Sequence, residues 1–290
     1  AGLLRFQNND LAEGRNLLGR MAIAISESMN TQNRLGLTLN GQPGENLFAP
    51  ISLGNATPSN FNTSTATMAL TVADPTALQA SSYTVSFTAG DAGSVTRHSD
   101  GKVFNFDGSA LPPVAVASVF SAQGLGVTLS GAVNAGDQFV INSLQGAAAE
   151  LQALQYSPTD LAAANPVNAA MGATNGGSLQ LASLKATGPI TQPATGSPVT
   201  IAFTAGSPAT YSATVPGPPV ATIATGNYVS GEKIAINGWE IALQGAPKSG
   251  DTVTVGNATD SQYGDWYKRD TGNASALMAL RDVPMFDNAT

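Results

Sequence analysis

Two stretches of this sequence occur twice, in the same order and at nearly the same spacing. Residues 83–90 recur as residues 199–206, which lie 116 positions later, and residues 127–141 recur as residues 241–255, which lie 114 positions later. Self-similarity at one fixed spacing is the signature of a repeated structural unit. The sequence therefore predicts a duplicated module.

The repeated stretches have the alternation of β-strands. Short β-branched or aromatic runs, separated by Gly, Asp, Pro and Asn, predict strands at 67–72, 83–88, 94–97, 103–106, 126–130 and 138–141. In each copy the second repeated stretch predicts a hairpin that places one apolar face in a core. We expect Asp137 and Asp251 to accept hydrogen bonds from backbone amides of its turn. The fold predicted for both copies is a mainly antiparallel β-sandwich or barrel-like module.

Residues 3–35 have a different pattern, which predicts one long helix. Apolar side chains recur every seven residues and on the neighbouring stripe, at Leu4, Leu11, Leu18, Met21, Ile25 and Leu35. Such a narrow stripe favours a helix that packs against another helix. The alternative, an amphipathic helix on a globular core, would be shorter and have a wider apolar face. Gly36 stands where a C-cap is expected.

A second helix of this kind is predicted at 271–281, where Leu277 and Leu280 lie on the apolar side and Asp270 or Asn273 could cap the start. The chain opens inside a helical pattern and ends soon after this helix, so we expect a central fragment of a longer protein. The predicted fold class is multidomain α+β, in which a long α-helical stalk (a partial bundle) carries the two β modules. The predicted domains are a stalk with connector (1–54), two β modules (55–156 and 157–264) and a return to the stalk (265–290).

Shorter features predict connections. Two short helices are expected at 147–154 and 158–164, and the second has Ser157 as N-cap and Pro158 at its first position. The turn-rich residues 38–46 have the spacing of a calcium loop, but only Glu45 is acidic, so a structural connector is favoured over a metal site.

Composition excludes several classes of partner. A formal net charge of −7 and a pI near 4.5 argue against nucleic acid and anionic membranes, which bind Lys and Arg patches. No apolar run is long enough to span a bilayer. Charged residues make up only 11% of the chain, against roughly a quarter in average proteins, so hydroxyl and amide groups must solvate much of the surface.

Reactive groups are few. His98 is the only histidine and cysteine is absent, so neither a zinc site nor a Ser-His-Asp arrangement is predicted. Asp137 and Asp251 occupy the same place in separate copies, which argues against a catalytic carboxylate pair. Trp239 and Trp266 are expected to anchor a core or a domain junction. We therefore expect no catalytic, cofactor-binding or metal-ligating residues, no cofactor, and no enzymatic activity.

Stretches across essentially the whole chain resemble the flagellar hook-associated protein 1 family of the bacterial hook–filament junction. The matching residues are 3–11, 16–19, 30–33, 39–41, 82–87, 237–241, 250–255 and 273–280. The long helix, the repeats and the returning helix occur in the family's order. Two turns depart from the family pattern. Thr38 stands where relatives tend to carry Asp, and residues 270–273 are a loosened version of the usual Asp-Asn-Arg-Asn.

The resemblance implies a secreted structural protein of the bacterial flagellum, exported by the type III apparatus. It implies self-assembly into a ring along the flagellar axis, where the hook protein and a second junction protein are its partners. It also implies an export chaperone that binds the missing C-terminal segment. In the family a helical, partly coiled-coil inner domain lies along the axis and β domains project outward. The alternative from a different class is a β-rich surface adhesin or carbohydrate-binding protein.

Overall fold

The computed structural model describes residues 10–154 and 157–283, together with Phe6. The chain divides into two units. The first comprises Ala1–Ser28, Phe48–Leu154 and Asp282–Thr290, and the second comprises Met29–Leu47 and Gln155–Arg281. The long helix predicted at 3–35 is present as α1 (Leu11–Arg34). The predicted first turns, with Leu4, lie outside the described residues.

The first unit contains antiparallel strands in two sheets. The strands are β1 (Thr57–Pro58), β2 (Thr67–Val72), β3 (Tyr83–Phe87), β4 (Ala92–Arg97), β5 (Val103–Asp107), β6 (Leu125–Ser130) and β7 (Gln138–Ile141). One sheet has the order β1-β7-β3-β4-β5, and β2 pairs with β6 in the other. Two short helices, α2 (Val116–Ser121) and α3 (Leu144–Ala147), complete the unit.

Aromatic side chains fill the core of the first unit. Alternate residues of β3 are buried, and its two aromatic rings each meet others edge to face. Phe87 packs against Phe106 and Phe139 at centroid distances of 5.3 and 6.0 Å, and Tyr83 packs against Phe120 at 5.5 Å. Edge-to-face packing brings the positive ring edge to the negative face, which adds to the stabilisation from burial.

The second unit is also built of antiparallel strands. They are β8 (Val167–Met171), β9 (Gln180–Ala186), β10 (Val199–Thr204), β11 (Ala209–Val215), β12 (Ala221–Tyr228), β13 (Lys233–Ile236), β14 (Trp239–Gln244) and β15 (Thr252–Asn257). They form sheets of order β12-β11-β10-β15-β8 and β13-β14-β9. The helix predicted at 271–281 is present as α4 (Gly272–Ala279).

Trp239 lies at the centre of the second unit. Its side chain is fully buried, as the sequence predicts for a core anchor, and its Nε1 donates to the carbonyl oxygen of Gln192 at 2.6 Å. Phe203 and Tyr228 pack edge to face beside this core at 5.3 Å. Because the indole N–H has a partner, the ring is buried without an unsatisfied donor.

The larger sheets of the two units have matching strand orders. The central strand of each sheet carries the first repeated stretch; it is β3 in the first unit and β10 in the second. Its neighbour on one side is the strand at the end of the second repeated stretch, which is β7 in the first unit and β15 in the second. The registers correspond as well. Val85 pairs with Phe139 in the first unit, and Ile201 pairs with Val253 in the second.

The hairpins predicted at 127–141 and 241–255 are wrong. In the first unit β6 pairs with β2, whereas β7 pairs with β3 and β1. In the second unit β14 pairs with β9 and β13, whereas β15 pairs with β10 and β8. Each stretch therefore crosses from one sheet to the other. Alternating polarity identifies a strand and its buried face, but it carries no information about which strand is its hydrogen-bonding neighbour.

The crossing turns are held by the two predicted aspartates. Asp137 accepts hydrogen bonds from the backbone N–H groups of Thr63 and Asn134, both at 2.8 Å. Asp251 accepts from the N–H groups of Gly176, Gly177 and Lys248 at 2.7, 3.0 and 2.8 Å. This confirms the prediction that both side chains bind backbone amides.

These hydrogen bonds favour the ionised form of both carboxylates. The pKa of Asp137 is lowered chiefly by the hydrogen bond from the Ser64 side chain and by the amide of Asn134. The pKa of Asp251 is lowered chiefly by the amide of Lys248, against the opposing effect of desolvation.

Acid should therefore weaken both units through these turns. A carboxylate whose folded pKa is depressed stabilises the fold above its unfolded pKa, about 3.9, and this stabilisation is lost as pH falls through the lower folded pKa. We expect the thermal midpoint to stay level from about pH 7 to 5 and to fall below about pH 4. A D137N/D251N variant should melt earlier at pH 7 and fall less steeply in acid. If calorimetry shows the same pH dependence of the thermal midpoint for the wild-type protein and the double variant, this explanation is wrong.

Two predicted connecting helices are shorter than expected. At 147–154 the helix is α3 followed by a 3₁₀ turn, Ala148–Glu150, and at 158–164 only the 3₁₀ turn Pro158–Asp160 forms. Ser157 caps that turn as predicted, by accepting from the N–H of Thr159 at 3.4 Å. Extended backbone follows both turns, with isolated bridges at Ala153 in the first unit and at Ala164 in the second. The N–H of Ala49 donates to the carbonyl of Gln152 in the first unit.

Candidate assembly surface

Helix α1 buries four polar side chains together with Gly19, Ala22, Ile23 and Ala24. Six of these buried residues follow one another along the helix at spacings that alternate between three and four positions: Asn16, Gly19, Ile23, Ser26, Asn30 and Asn33. That spacing is the one at which residues line up along a single stripe of a helix. The heptad spacing of the apolar residues does not predict this buried stripe, although the regular spacing of its own residues is a signal that could have identified it.

The predicted seam residues of α1 lie on the outside. Leu11, Leu18, Met21 and Ile25, here called the apolar stripe, are 37%, 58%, 46% and 40% exposed. Leu17, which the sequence analysis did not include, is also exposed. Side chains this open are not covered by any described part of the chain. A contiguous exposed apolar patch of this kind marks an interaction surface.

The other predicted seam residues are placed differently. Leu4 lies outside the described residues. Leu35 follows the end of α1 and is half-buried, and Leu277 and Leu280 are half-buried at α4 and just beyond it. Those last three belong to the second unit. The structure therefore brings four of the eight predicted residues together on one helix face.

Close backbone contact positions α1 in the first unit. A Cβ built at Gly19 would overlap the carbonyl oxygen of Leu144, so only glycine allows this approach. Arg20 donates to the carbonyl of Leu78 at 3.3 Å, and Asn16 Nδ2 donates to Ser82 Oγ at 3.4 Å. These contacts bury this side of α1 and leave the apolar stripe exposed.

A buried amide positions the end of α1 in the second unit. Asn273, on α4, accepts from Gln32 Nε2 at 2.7 Å and donates to the carbonyls of Gln32 and Ala162 at 3.1 and 2.6 Å. Asn33 adds a donated bond to the carbonyl of Glu45 at 2.7 Å and accepts from the N–H of Ala162 at 3.3 Å. Both the oxygen and the nitrogen of each of these buried side-chain amides therefore have hydrogen-bond partners, as buried polar groups require.

The predicted helix caps have different roles from those expected. Asp270 accepts from the N–H of Gly272 at 3.1 Å, but the N-cap position of α4 is Thr271, whose side chain makes no capping hydrogen bond. Asn273 binds α1 instead. Gly36 is not in the left-handed region expected of a C-cap glycine. A Cβ there would overlap the side-chain amide of Asn273, so Gly36 is required for close packing.

Over the part of the chain that the structure describes, the reactive side chains form no recognisable catalytic arrangement. His98 is exposed and its Nε2 lies 2.8 Å from Thr84 Oγ1. Within residues 10–154 and 157–283, no three His, Cys, Asp or Glu side chains are grouped to hold a metal ion. Trp266 is 60% exposed, so its predicted anchoring role is wrong. Over the same residues, no helix combines the length and apolar character needed to cross a membrane.

Comparison with known proteins gives consistent matches. Residues 1–48 match the helical domain of the flagellar hook-associated protein FlgK, and residues 57–143 match the D2-like domain of flagellar hook-associated protein 1. The structure of the flagellar hook junction protein FlgK from Burkholderia pseudomallei superimposes with a TM-score of 0.72 and 27% identity, over 100% of this chain and 54% of that one. The chain is similar to the flagellar hook-associated protein 1 family.

Curated members of the family agree. Flagellar hook-associated protein 1 of Escherichia coli is 30% identical over 171 residues, which are 58% of this chain and 29% of that protein. The Salmonella typhimurium protein is 29% identical over 167 residues, 57% of this chain and 28% of that protein. This chain thus matches less than a third of the length of these relatives. This similarity indicates an exported component of the extracellular flagellum, and the described residues form mixed helix and antiparallel sheet. These relatives give no support to the adhesin or carbohydrate-binding alternative.

Proposed function

We propose that this chain is a structural, non-catalytic part of a bacterial hook–filament junction protein, and that it joins its neighbours through α1. The observation that carries the proposal is the exposure of the apolar stripe. Four large apolar side chains are left in solvent on a helix that buries Asn16, Ser26, Asn30 and Asn33. An exposed stripe at heptad spacing is suited to the side chains of a second helix.

We further propose the stalk-and-module organisation as the basis of assembly. Helix α1, α4 and the residues beyond them would form the helical stalk (1–54 and 265–290), and the β modules (55–156 and 157–264) would be a duplicated unit. The matching strand orders of the two larger sheets and the equivalent bonds of Asp137 and Asp251 support the duplication. The hook protein, a second junction protein and copies of the chain itself would be its neighbours in a ring. An export chaperone would bind a segment outside this sequence.

Substitutions in the apolar stripe should prevent assembly while leaving the folding of the chain unchanged. In the full-length parent protein, Leu11→Asp, Leu18→Asp and Ile25→Asp together should abolish filament attachment in cells that lack their own junction protein. Burying one carboxylate in a helix–helix contact costs roughly several kcal/mol. Three of them would therefore outweigh the stabilisation that the contact provides. Because the three side chains are exposed in the isolated chain, its thermal midpoint should change little.

A matched control is available in the first unit. Leu111 is 96% exposed and lies outside α1, so Leu111→Asp makes the same chemical change away from the stripe. This variant should support normal filament attachment. If the triple variant also attaches filaments normally while being exported at the normal level, α1 is not the joining element.

A further inference from the structure

One edge strand of the second unit, β9, borders an open groove. Strand β9 pairs with β14 on one side only, and its residues 180–183 are exposed. The groove has a volume of about 270 Å³ and lies between β9 and the start of β8, with Trp266 and Tyr267 in its lining. An unpaired strand edge presents backbone N–H and C=O groups to which another extended chain can bind.

Strand β9 corresponds to β2 of the first unit. Each of the two strands pairs with the strand that begins the second repeated stretch, which is β6 in the first unit and β14 in the second. The registers make Leu181 the counterpart of Met68, and Leu184 the counterpart of Leu70, because their partners on β6 and β14 lie 114 positions apart, the spacing of this repeat. A β-bulge separates the two residues on β9 by one extra position.

The edge of β2 is covered by the chain itself, whereas the edge of β9 is open. In the first unit the N–H of Ala56 donates to the carbonyl oxygen of Met68 at 2.8 Å, and the N–H of Leu70 donates to the carbonyl oxygen of Gly54 at 3.0 Å. Met68 is fully buried, while its counterpart Leu181 is 42% exposed. Among the described residues, no extended segment of the second unit takes the place that residues 54–56 take in the first.

The residues of the groove restrict what can bind there. Asn165 Nδ2 donates to the carbonyl oxygen of Leu184 at 3.0 Å, which satisfies one group of the β9 edge. Of the described residues that line the groove, only Asp270 carries a charge, and its carboxylate accepts from the N–H groups of Asn165 and Gly272 at 2.6 and 3.1 Å. A charged side chain would be buried there without a free partner, so an uncharged segment fits best.

We propose that the open edge of β9 binds an extended, uncharged segment of another polypeptide by strand addition. The backbone of this segment pairs with Leu181 and Leu184, as residues 54–56 pair with the counterparts of these leucines in the first unit. An apolar side chain of the segment lies between Leu181 and Trp266, whose ring is 60% exposed and offers an apolar surface. Binding is a property of the second unit and does not depend on the apolar stripe of α1.

A pair of peptides tests the inference. Acetyl-Ser-Leu-Gly-Asn-Ala-Thr-amide has the sequence of residues 52–57, which include the segment that covers β2, and acetyl-Ser-Leu-Gly-Asn-Pro-Thr-amide lacks one donating N–H. Titrated into the isotope-labelled chain, the first peptide should produce saturable NMR shifts at the backbone amide of Leu181 and at the indole N–H of Trp266. The proline peptide should bind roughly tenfold more weakly, because it leaves the carbonyl oxygen of Leu181 without a donor.

Variants of the two edge strands of the second unit provide the matched comparison. Leu181→Lys places a charge in the groove and should abolish the response to the first peptide. Thr225→Lys makes a similar change at an exposed position of β12, the edge strand of the larger sheet, and should retain the response. Trp266→Ala should weaken binding severalfold, and its exposed position makes this variant informative even if Leu181→Lys disturbs the fold.

Four results would overturn the proposal. They are an absence of saturable shifts in the wild-type chain, equal binding of the two peptides, binding that survives both Leu181→Lys and Trp266→Ala, and shifts at Leu70 in place of Leu181. The last result would mean that the peptide displaces residues 54–56 from the first unit. A failure of filament attachment by the stripe variants has no bearing on these measurements, because they use the isolated chain.

Discussion

Gly19→Ala should destabilise the first unit by about 2–3 kcal/mol, although alanine favours helix formation more than glycine does. The added Cβ would overlap the carbonyl oxygen of Leu144 and come within 2.8 Å of its carbonyl carbon. Both atoms belong to the backbone, so relief requires α1 or the chain at α3 to move. Such a shift would also disturb the buried contacts of Asn16 and Ile23. Calorimetry of the isolated chain would measure the loss as a lower thermal midpoint.

Gly14→Ala is the matched control in the same helix. A Cβ at Gly14 meets no atom within 4 Å, so the substitution only removes the flexibility of glycine. It should stabilise α1 by about 0.5–1 kcal/mol. Opposite signs for the two variants would show that contact at Gly19, and not helix propensity, decides the result. If Gly19→Ala were as stable as Gly14→Ala, the close approach of α1 to Leu144 would be incorrect.

Asn273→Ala should destabilise the second unit by about 3–5 kcal/mol, because each buried group that loses its partner costs about 1–3 kcal/mol. The variant removes the acceptor of Gln32 Nε2 and the donor to two carbonyls, including that of Ala162 at 2.6 Å. It also leaves a space where Gly36 packs against the amide. Both tryptophans of the chain lie in the second unit, so the change in tryptophan fluorescence during urea unfolding measures this loss.

Asn227→Ala provides the comparison for this variant. Asn227 is exposed on β12, and substitutions at such surface positions usually change stability by less than about 0.5 kcal/mol. The free energies of unfolding of the two variants should therefore differ by roughly several kcal/mol, which is the cost of leaving the buried hydrogen-bond partners of Asn273 unpaired. Similar urea midpoints for both would mean that the bonds of Asn273 contribute little to stability.

The positions of most strands of the first unit can be read from the sequence, but their partners cannot. Residues 67–72 and 138–141 were predicted to the residue, because a short alternating run bounded by turn residues has few other conformations available. The pairing of β6 with β2 and of β7 with β3 was missed, because pairing depends on where a distant strand arrives. The binding of backbone amides by Asp137 could be predicted because it is a property of the local turn.

The sequence by itself indicated a long helix and short strands, since heptad spacing and alternation are patterns of neighbouring residues. Its repeated stretches predict that the strands form two similar sets. Only the tertiary structure decided which face of α1 is buried. A stripe containing Asn16, Asn30 and Asn33 can be buried only if distant chain segments supply hydrogen-bond partners, and those partners come from residues such as Ser82 and Ala162. The same arrangement leaves Leu18 and Ile25 in solvent, where another helix can bind them.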